Sequence, residues 1–93
     1  MNIQLFLFKD NDCDLCKVMQ QELTDNPPKC DSTIICAKHA FGRSLCKEYS
    51  VKTFPTIVLI DDDKNKVISK WEGYIDCDSI NNKIEEYERY NKM

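Results

Sequence analysis

The chain has 93 residues, 42% of them hydrophobic, and its 13 basic and 16 acidic side chains give a net charge of −3. A chain of this length has room for one domain with one hydrophobic core, which we expect to span residues 1–93. Because it has no basic surplus and no basic amphipathic segment, the composition argues against binding to nucleic acid or to a membrane surface.

The first third of the chain is predicted to form a strand, a helix and a second strand. Residues 3–8 are apolar at five of six positions, which suits a strand buried on both faces. A polar loop follows, in which Asp12 is the expected N-cap of an amphipathic helix over residues 13–25. Two prolines, starting at Pro27, end this helix. Residues 32–37 then predict a second buried strand.

The middle of the chain is predicted to form a short helix and a β-hairpin. Residues 40–49 favour a helix that presents one apolar side, made of Phe41, Leu45 and Tyr49. The β-branched residues 56–60 and the segment 66–71 read as two strands joined by a polar turn, which indicates a hairpin.

The last predicted element is a helix that follows Gly73, with Asp76 or Asp78 as its cap. Its buried side is expected to carry Ile80, Ile84 and Tyr87. The element order is therefore β-α-β-α-β-β-α. Alternating strands and helices predict an α/β domain with a central four-stranded mixed sheet, parallel in its first half, antiparallel in its last two strands and flanked by three helices.

A C-x-x-C motif, Cys13-Asp14-Leu15-Cys16, stands where the first strand gives way to the first helix. The N-terminus of a helix offers unpaired N–H groups and the positive end of the helix dipole, and both stabilise a thiolate on Cys13. Cys16 lies one turn later, close enough to form a small disulfide with it. The layout therefore suits redox chemistry.

Three signals occur together in this chain, and with them it resembles the thioredoxin superfamily in the short form shared by glutaredoxins. They are the C-x-x-C between a strand and a helix, a proline motif that opens a later strand, and Gly73 before the last helix. The proline motif is Phe54-Pro55-Thr56. The resemblance covers nearly the whole chain, and it implies the thioredoxin-like fold.

The resemblance also implies an enzyme, a protein-disulfide reductase that works by dithiol exchange without a further cofactor. Cys13 would be the exposed nucleophile and Cys16 the buried resolving thiol. Thr53, Phe54 and Pro55 would bind an extended substrate, with a cis peptide bond before Pro55. The partners implied are protein disulfides. Small proteins of this kind in viruses and anaerobes serve ribonucleotide reductase, which makes that enzyme one candidate substrate.

Glutathione is the alternative electron donor, as in a glutathione-dependent glutaredoxin. By resemblance, Lys9, Cys77 and Asp78 are candidate glutathione contacts, and Thr53 also matches the glutaredoxin pattern. However, Ile75-Asp76 stand where glutaredoxins carry paired glycines. Asp10 and Asp12 would also repel the glycine carboxylate of glutathione. We therefore expect a thioredoxin-reductase-type donor to support more activity than glutathione does.

Acidic side chains also bear on the redox potential, since Asp10, Asp12 and Asp14 lie within four residues of Cys13. Their charge opposes the stabilisation of the Cys13 thiolate by the helix N-terminus. A less stabilised thiolate makes the reduced form less stable. We therefore expect a reducing potential like that of thioredoxins.

A zinc site is the main alternative reading of a C-x-x-C. The two further ligands would have to come from Cys30, Cys36, His39, Cys46 or Cys77. There is no second C-x-x-C and no H-x₃₋₅-H, so we predict no metal site. A thioredoxin-like interaction module without redox activity is a second alternative, which the intact cysteines and proline disfavour.

Four cysteines lie outside the motif. Cys36 and Cys46 fall in a predicted strand and helix, where a small buried hydrophobe is the usual role. Cys30 lies in a polar loop and is expected to be exposed. Cys77 opens the last helix, whose N-terminus could stabilise a thiolate there and make it an oxidation site.

The six cysteines also bear on the compartment. They would suggest a disulfide scaffold in a secreted chain, but their spacing does not resemble a disulfide framework. The first residues carry no charged leader followed by a long apolar stretch, so we expect neither a secretory signal nor a membrane span. We therefore expect a monomer in the reducing cytoplasm.

Overall fold

The computed structural model describes residues 2–91 and contains the seven elements in the predicted order. No helix within those residues is both long enough and apolar enough to cross a membrane. The elements are β1 (Ile3–Lys9), α1 (Asp14–Asp25), β2 (Asp31–Cys36), α2 (Ala40–Glu48), β3 (Thr56–Asp61), β4 (Lys66–Glu72) and α3 (Cys77–Asn91).

The four strands form one mixed sheet in the order β2-β1-β3-β4. β1 pairs with β2 in parallel, with Leu7 opposite Ile34. β1 pairs with β3 in antiparallel orientation, with Leu5 opposite Leu59. β3 also pairs with β4 in antiparallel orientation, and the register of this pair shifts between Leu59 and Ile60. The predicted fold class, parallel in one half and antiparallel in the other, is confirmed.

Each face of the sheet carries its own apolar cluster, which is why the two central strands are apolar on both sides. The larger cluster joins β1 and β3 to α1 and α3, through residues that include Leu5, Leu7, Met19, Ile57 and Ile80. The smaller cluster lies on the α2 face and includes Phe8, Ile35, Val51 and Val58, with Tyr49 and Phe54 packed against it.

The prediction that β2 is a buried strand is wrong. Its first four residues are exposed, and Ile35 is its one buried position. The cause is its place in the sheet, because β2 is an edge strand with a partner on one side only. The apolar pattern of residues 32–37 could not reveal this, since edge and central strands can share the same local sequence.

The predicted apolar side of α2 is also wrong in one respect. Phe41 is 74% exposed, and the buried residue of the helix is Gly42. A Cβ atom on Gly42 would overlap the carbonyl oxygen of Cys36. α2 therefore reaches the sheet through its glycine, and this close approach leaves the neighbouring Phe41 in solvent.

Gly42→Ala is expected to destabilise the protein. Alanine is favoured over glycine inside a helix by about 1 kcal/mol, but the added methyl group meets backbone, and such overpacking costs roughly 1–3 kcal/mol. Because the methyl group would overlap backbone atoms of Cys36, the cost falls at the upper end of that range, and we expect a net loss of about 1–2 kcal/mol in the free energy of unfolding, measured by urea denaturation. Ser44→Ala, at an exposed position of α2, is the matched control and should not lower stability. A Gly42→Ala variant as stable as that control would contradict the packing described here.

Candidate active site

The predicted site residues lie at one end of the sheet, where β1 and β4 end and β3 begins. The register places Phe8, near the end of β1, opposite Thr56 at the start of β3. Thr56 in turn lies opposite Glu72 at the end of β4. Three segments therefore meet at this end of the sheet: the loop to Cys13, the Pro55 turn and the turn at Gly73. A hydrogen bond from the Gly73 N–H to the Pro55 carbonyl, at 2.7 Å, joins two of these turns.

Cys13 and Cys16 form a disulfide, with their Cα atoms 5.2 Å apart. Cys13 is the N-cap of α1, with extended backbone, and its sulfur accepts a hydrogen bond from the Cys16 N–H at 3.1 Å. The expectation that Asp12 is the N-cap is therefore wrong. Cys13 is half-buried and Cys16 is 1% exposed. Of the two cysteines, Cys13 is therefore the one that is partly exposed to a partner molecule.

The Pro55 turn is built by its neighbours. The Phe54–Pro55 peptide bond is cis, as the resemblance implies. Pro55 is buried, Phe54 is half-buried and Thr53 is exposed. The Thr56 side chain is fully buried, and its hydroxyl donates a 2.7 Å hydrogen bond to the Thr53 carbonyl. This bond closes the turn from inside and leaves Thr53 facing outward, toward solvent.

The acidic side chains near Cys13 are in contact with water. Asp14 is fully exposed, and Lys17 forms an exposed ion pair with it at 3.8 Å. Asp10 accepts a 2.7 Å hydrogen bond from the Asn11 N–H. Because such charges act through solvent, each contributes little on its own. The reducing potential stays a prediction.

The candidate glutathione contacts at the start of α3 are hydrogen-bonded to α1 and to Asn26, the residue that follows α1. Cys77 is fully buried, and its N–H donates a 2.9 Å hydrogen bond to the Glu22 carboxylate. The Asp78 carboxylate accepts one from Asn26 at 3.2 Å. Lys9, the third candidate, is half-buried as the last residue of β1. Glu22 and its contact with Cys77 had no counterpart in the sequence predictions.

Burial decides the state of the other cysteines. It raises the pKa of Cys77 to about 11, with smaller contributions from nearby acidic groups, so the expected stabilised thiolate at this position is wrong. Cys30 is half-buried rather than exposed, and burial together with Asp31 raises its pKa to about 11. Cys36 and Cys46 are half-buried rather than core residues. The Cys36 thiol donates to the Asn11 side chain at 3.4 Å.

Cys30 and Cys77 are therefore expected to react slowly with alkylating reagents. A pKa of about 11 instead of 9.0 lowers the thiolate fraction at pH 8 about 100-fold. Iodoacetamide labelling followed by peptide mass spectrometry measures the rate at each cysteine. The same sites in urea-unfolded protein are the control and should react about 100-fold faster. Equal rates in folded and unfolded protein would contradict the burial of these thiols.

Among residues 2–91, no three His, Cys, Asp or Glu side chains are grouped so that they could hold a metal ion. The additional ligands that a zinc site would need are thus not gathered around the C-x-x-C.

A cavity of about 230 Å³ lies at the opposite end of the sheet, where β1 and β2 begin, and no predicted site residue borders it. Its lining consists of Asn2, Ile3, Lys29, Cys30, Asp31, Ile84 and Glu88.

Comparisons with known proteins agree with this arrangement. Thioredoxin 1 of Thermosipho africanus is similar over 97% of this chain and 99% of its own, with a TM-score of 0.71 and 21% identity. An N21Q thioredoxin of Halobacterium salinarum gives a TM-score of 0.76 and 22% identity, over 92% of this chain and 74% of its own. A thioredoxin-like protein of Clostridium perfringens gives a TM-score of 0.76 and 20% identity, over 91% of this chain and 70% of its own.

Comparison with curated protein sequences gives no match. The sequence pattern of one family, described as a thioredoxin-like domain, matches residues 2–88. That match covers nearly the whole chain, and it agrees with the mixed sheet, the three helices and the disulfide at the start of α1. The chain therefore belongs to the thioredoxin-like domain family.

Proposed function

We propose that this protein is a thiol–disulfide oxidoreductase that reduces protein disulfides by dithiol exchange. The observation that carries the proposal is the Cys13–Cys16 disulfide, in which Cys13 is partly exposed at the N-terminus of α1 and Cys16 is buried. The family and the fold support redox activity in general. The direction of the reaction and the class of substrate are the proposal.

In the reduced protein, the Cys13 thiolate attacks one sulfur of a substrate disulfide. A mixed disulfide forms, and one substrate thiolate leaves and takes a proton. Cys16 then loses its proton and attacks the Cys13 sulfur. This step breaks the mixed disulfide, releases the second substrate thiol and leaves the Cys13–Cys16 disulfide. Two electrons and two protons thus pass to the substrate.

The residues around Cys13 support the first step. The Cys16 N–H points at the Cys13 sulfur, and a hydrogen bond from the first turn of a helix stabilises negative charge there. Phe54, next to the buried Pro55, would offer its backbone groups to an extended substrate, and the exposed Thr53 lies beside it. Burial of Cys16 keeps it from outside disulfides until Cys13 has reacted.

We propose the cytoplasm as the compartment. Cys30, Cys36, Cys46 and Cys77 are all free thiols. Free thiols in this number suit a compartment in which glutathione and thioredoxin systems keep cysteines reduced.

The proposed electron donor is a reductase of the thioredoxin-reductase type. The Cys77 N–H and the Asp78 carboxylate, which by resemblance would hold glutathione, are already hydrogen-bonded to side chains of α1 and of the residue that follows it. Insulin reduction with NADPH and a thioredoxin reductase should therefore be faster than with NADPH, glutathione reductase and glutathione. Equal or faster turnover with glutathione would contradict this donor and favour a glutaredoxin. Failure to accelerate insulin reduction with either donor or with dithiothreitol would contradict the proposed function.

A further inference from the structure

The two edge strands of the sheet, β2 and β4, differ in how they are protected. β4 carries charges at Lys66, Lys70 and Glu72, and the register of its pairing with β3 shifts once. Charges and irregularities of this kind keep an edge strand from pairing with another chain. From Ser32 to Cys36, β2 carries no charge, and its pairing with β1 is regular. The outer side of β2 is therefore an unprotected edge.

The outer side of β2 offers backbone hydrogen-bonding groups at alternate residues. The Ala37 N–H donates to the Lys9 carbonyl of β1 at 2.9 Å, so the odd-numbered residues of β2 direct their backbone groups toward β1. Because successive residues of a strand alternate, Ser32, Ile34 and Cys36 direct theirs away from it. Within residues 2–91, no strand lies on that side of β2.

This outer side is closed at Cys36 and open before it. The Cys36 carbonyl accepts a 3.3 Å hydrogen bond from the His39 N–H, and Gly42 of α2 packs against it. Ser32 is exposed, and Ile34 is 47% exposed. A strand that adds to β2 would therefore bond to Ser32 and Ile34.

A second copy of the same segment fits this open side, related to the first by a two-fold axis. In an antiparallel pair centred on Thr33, Ser32 of each copy lies opposite Ile34 of the other, and each such pair exchanges two hydrogen bonds. The two Thr33 side chains then face each other directly, a cross-strand pair that is favourable in antiparallel sheets. The two Ile34 side chains become diagonal neighbours on one face, where each covers apolar surface of the other.

The same register brings opposite charges together. It sets Asp31 of one copy opposite Ile35 of the other, on the face that carries α2. Ile35 packs against Gly42 in the first turn of α2, and the exposed Lys38 lies just before that helix. The N-cap residue His39 makes no capping hydrogen bond with its side chain, and the first turn of α2 has no acidic residue. A carboxylate from the second copy would therefore be stabilised at this helix N-terminus.

We propose that the outer side of β2 is the surface through which two copies of this protein associate, in an antiparallel β2–β2 pair centred on Thr33. The sequence favoured a monomer, since it predicted β2 as buried rather than as an open edge. The pair is short, so we expect a reversible dimer that forms in the micromolar range. The antiparallel arrangement places the two Cys13–Cys16 disulfides at opposite ends of the joined sheet, so the inference does not depend on the proposed function.

Sedimentation equilibrium of the full chain, from micromolar to millimolar concentration, measures this association. Thr33→Glu and Thr33→Lys should each raise the dissociation constant of the dimer about tenfold or more, because like charges then face each other across the axis. An equal mixture of the two variants should form dimers about as readily as the wild type does. Val67→Glu and Val67→Lys, at an exposed position of β4, are the matched controls and should associate like the wild type.

Amide hydrogen exchange in the wild type locates the pair without any substitution. The Ser32 and Ile34 N–H groups point away from β1, so their exchange should slow as the protein concentration rises. In Thr33→Glu protein at the same concentrations, their exchange should stay fast. Thr33 is exposed, so this variant should keep its fold, which urea denaturation checks.

A wild type that stays monomeric over the whole concentration range would overturn the inference. A dimer that Thr33→Glu does not weaken would also overturn it, because the two copies would then meet at another surface. If the mixture of Thr33→Glu and Thr33→Lys stays monomeric, the two-fold register is wrong. Thr33→Glu should reduce insulin at the wild-type rate, so each of these outcomes leaves the proposed function standing.

Discussion

Cys13→Ser is expected to lower the rate of disulfide reduction about 1,000-fold or more, to the level of the uncatalysed reaction. A serine hydroxyl stays protonated at neutral pH and cannot take the place of a thiolate in attack on a disulfide. The substitution replaces the sulfur atom with oxygen. Because serine is a favoured residue at a helix N-cap, α1 should still form. Insulin precipitation in the presence of dithiothreitol measures the effect.

Cys36→Ser is the matched control for this variant. Cys36 ends β2 at the same end of the sheet, is half-buried, and contacts Asn11 in the loop that leads to Cys13. The Cys36→Ser variant should therefore reduce insulin at close to the wild-type rate. A Cys13→Ser variant that keeps wild-type activity, or a Cys36→Ser variant that loses it, would show that the nucleophile has been assigned to the wrong cysteine.

Cys16→Ser is expected to trap the substrate. Cys13 can still attack, but no resolving thiol remains, so the mixed disulfide between Cys13 and the substrate accumulates. Non-reducing electrophoresis and intact mass should show a covalent complex at close to one substrate per protein, which dithiothreitol releases. Cys46→Ser, at a half-buried position of α2, is the control and should form no lasting complex.

The outcome that would contradict this part of the mechanism is multiple turnover by Cys16→Ser at the wild-type rate, with no complex. A monothiol reaction would permit such turnover only when a small thiol, such as glutathione or dithiothreitol, is supplied to attack the mixed disulfide. The reaction is therefore run without either of them, so that Cys16 is the one proposed source of the second thiol.

The sequence predicted the fold because its strongest signals are local. Ile57, Val58, Leu59 and Ile60 are β-branched or apolar without a break, and such a run fits a central strand covered on both faces. What it could not predict was β2 as an exposed edge, because exposure there depends on which strand lies beside it. Gly42 was the available signal for the contact between α2 and β2, since a glycine inside a short helix often marks close packing.

The residues of the candidate site that lie in contiguous motifs could be predicted, and those linked by long-range contacts could not. The C-x-x-C and the proline motif are contiguous in sequence, so their residues could be named in advance. The role of Glu22 could not be predicted, because its partner Cys77 lies 55 positions away and no local sequence pattern links the two residues. The N-cap was placed one residue early, at Asp12, because the sulfur of Cys13 itself accepts the hydrogen bond of the first turn.

The central claim is that electrons reach a substrate disulfide from Cys13 and Cys16 and from no other pair. A single-turnover experiment with residue-resolved mass spectrometry tests it most directly. Fully reduced protein is mixed with less than one equivalent of insulin, all remaining thiols are alkylated after unfolding in urea, and the six cysteines are scored separately. One Cys13–Cys16 disulfide should form for each insulin disulfide lost, while Cys30, Cys36, Cys46 and Cys77 remain alkylated as free thiols. Loss of thiols from any of those four in place of Cys13 and Cys16, or no disulfide lost from insulin, would contradict the account.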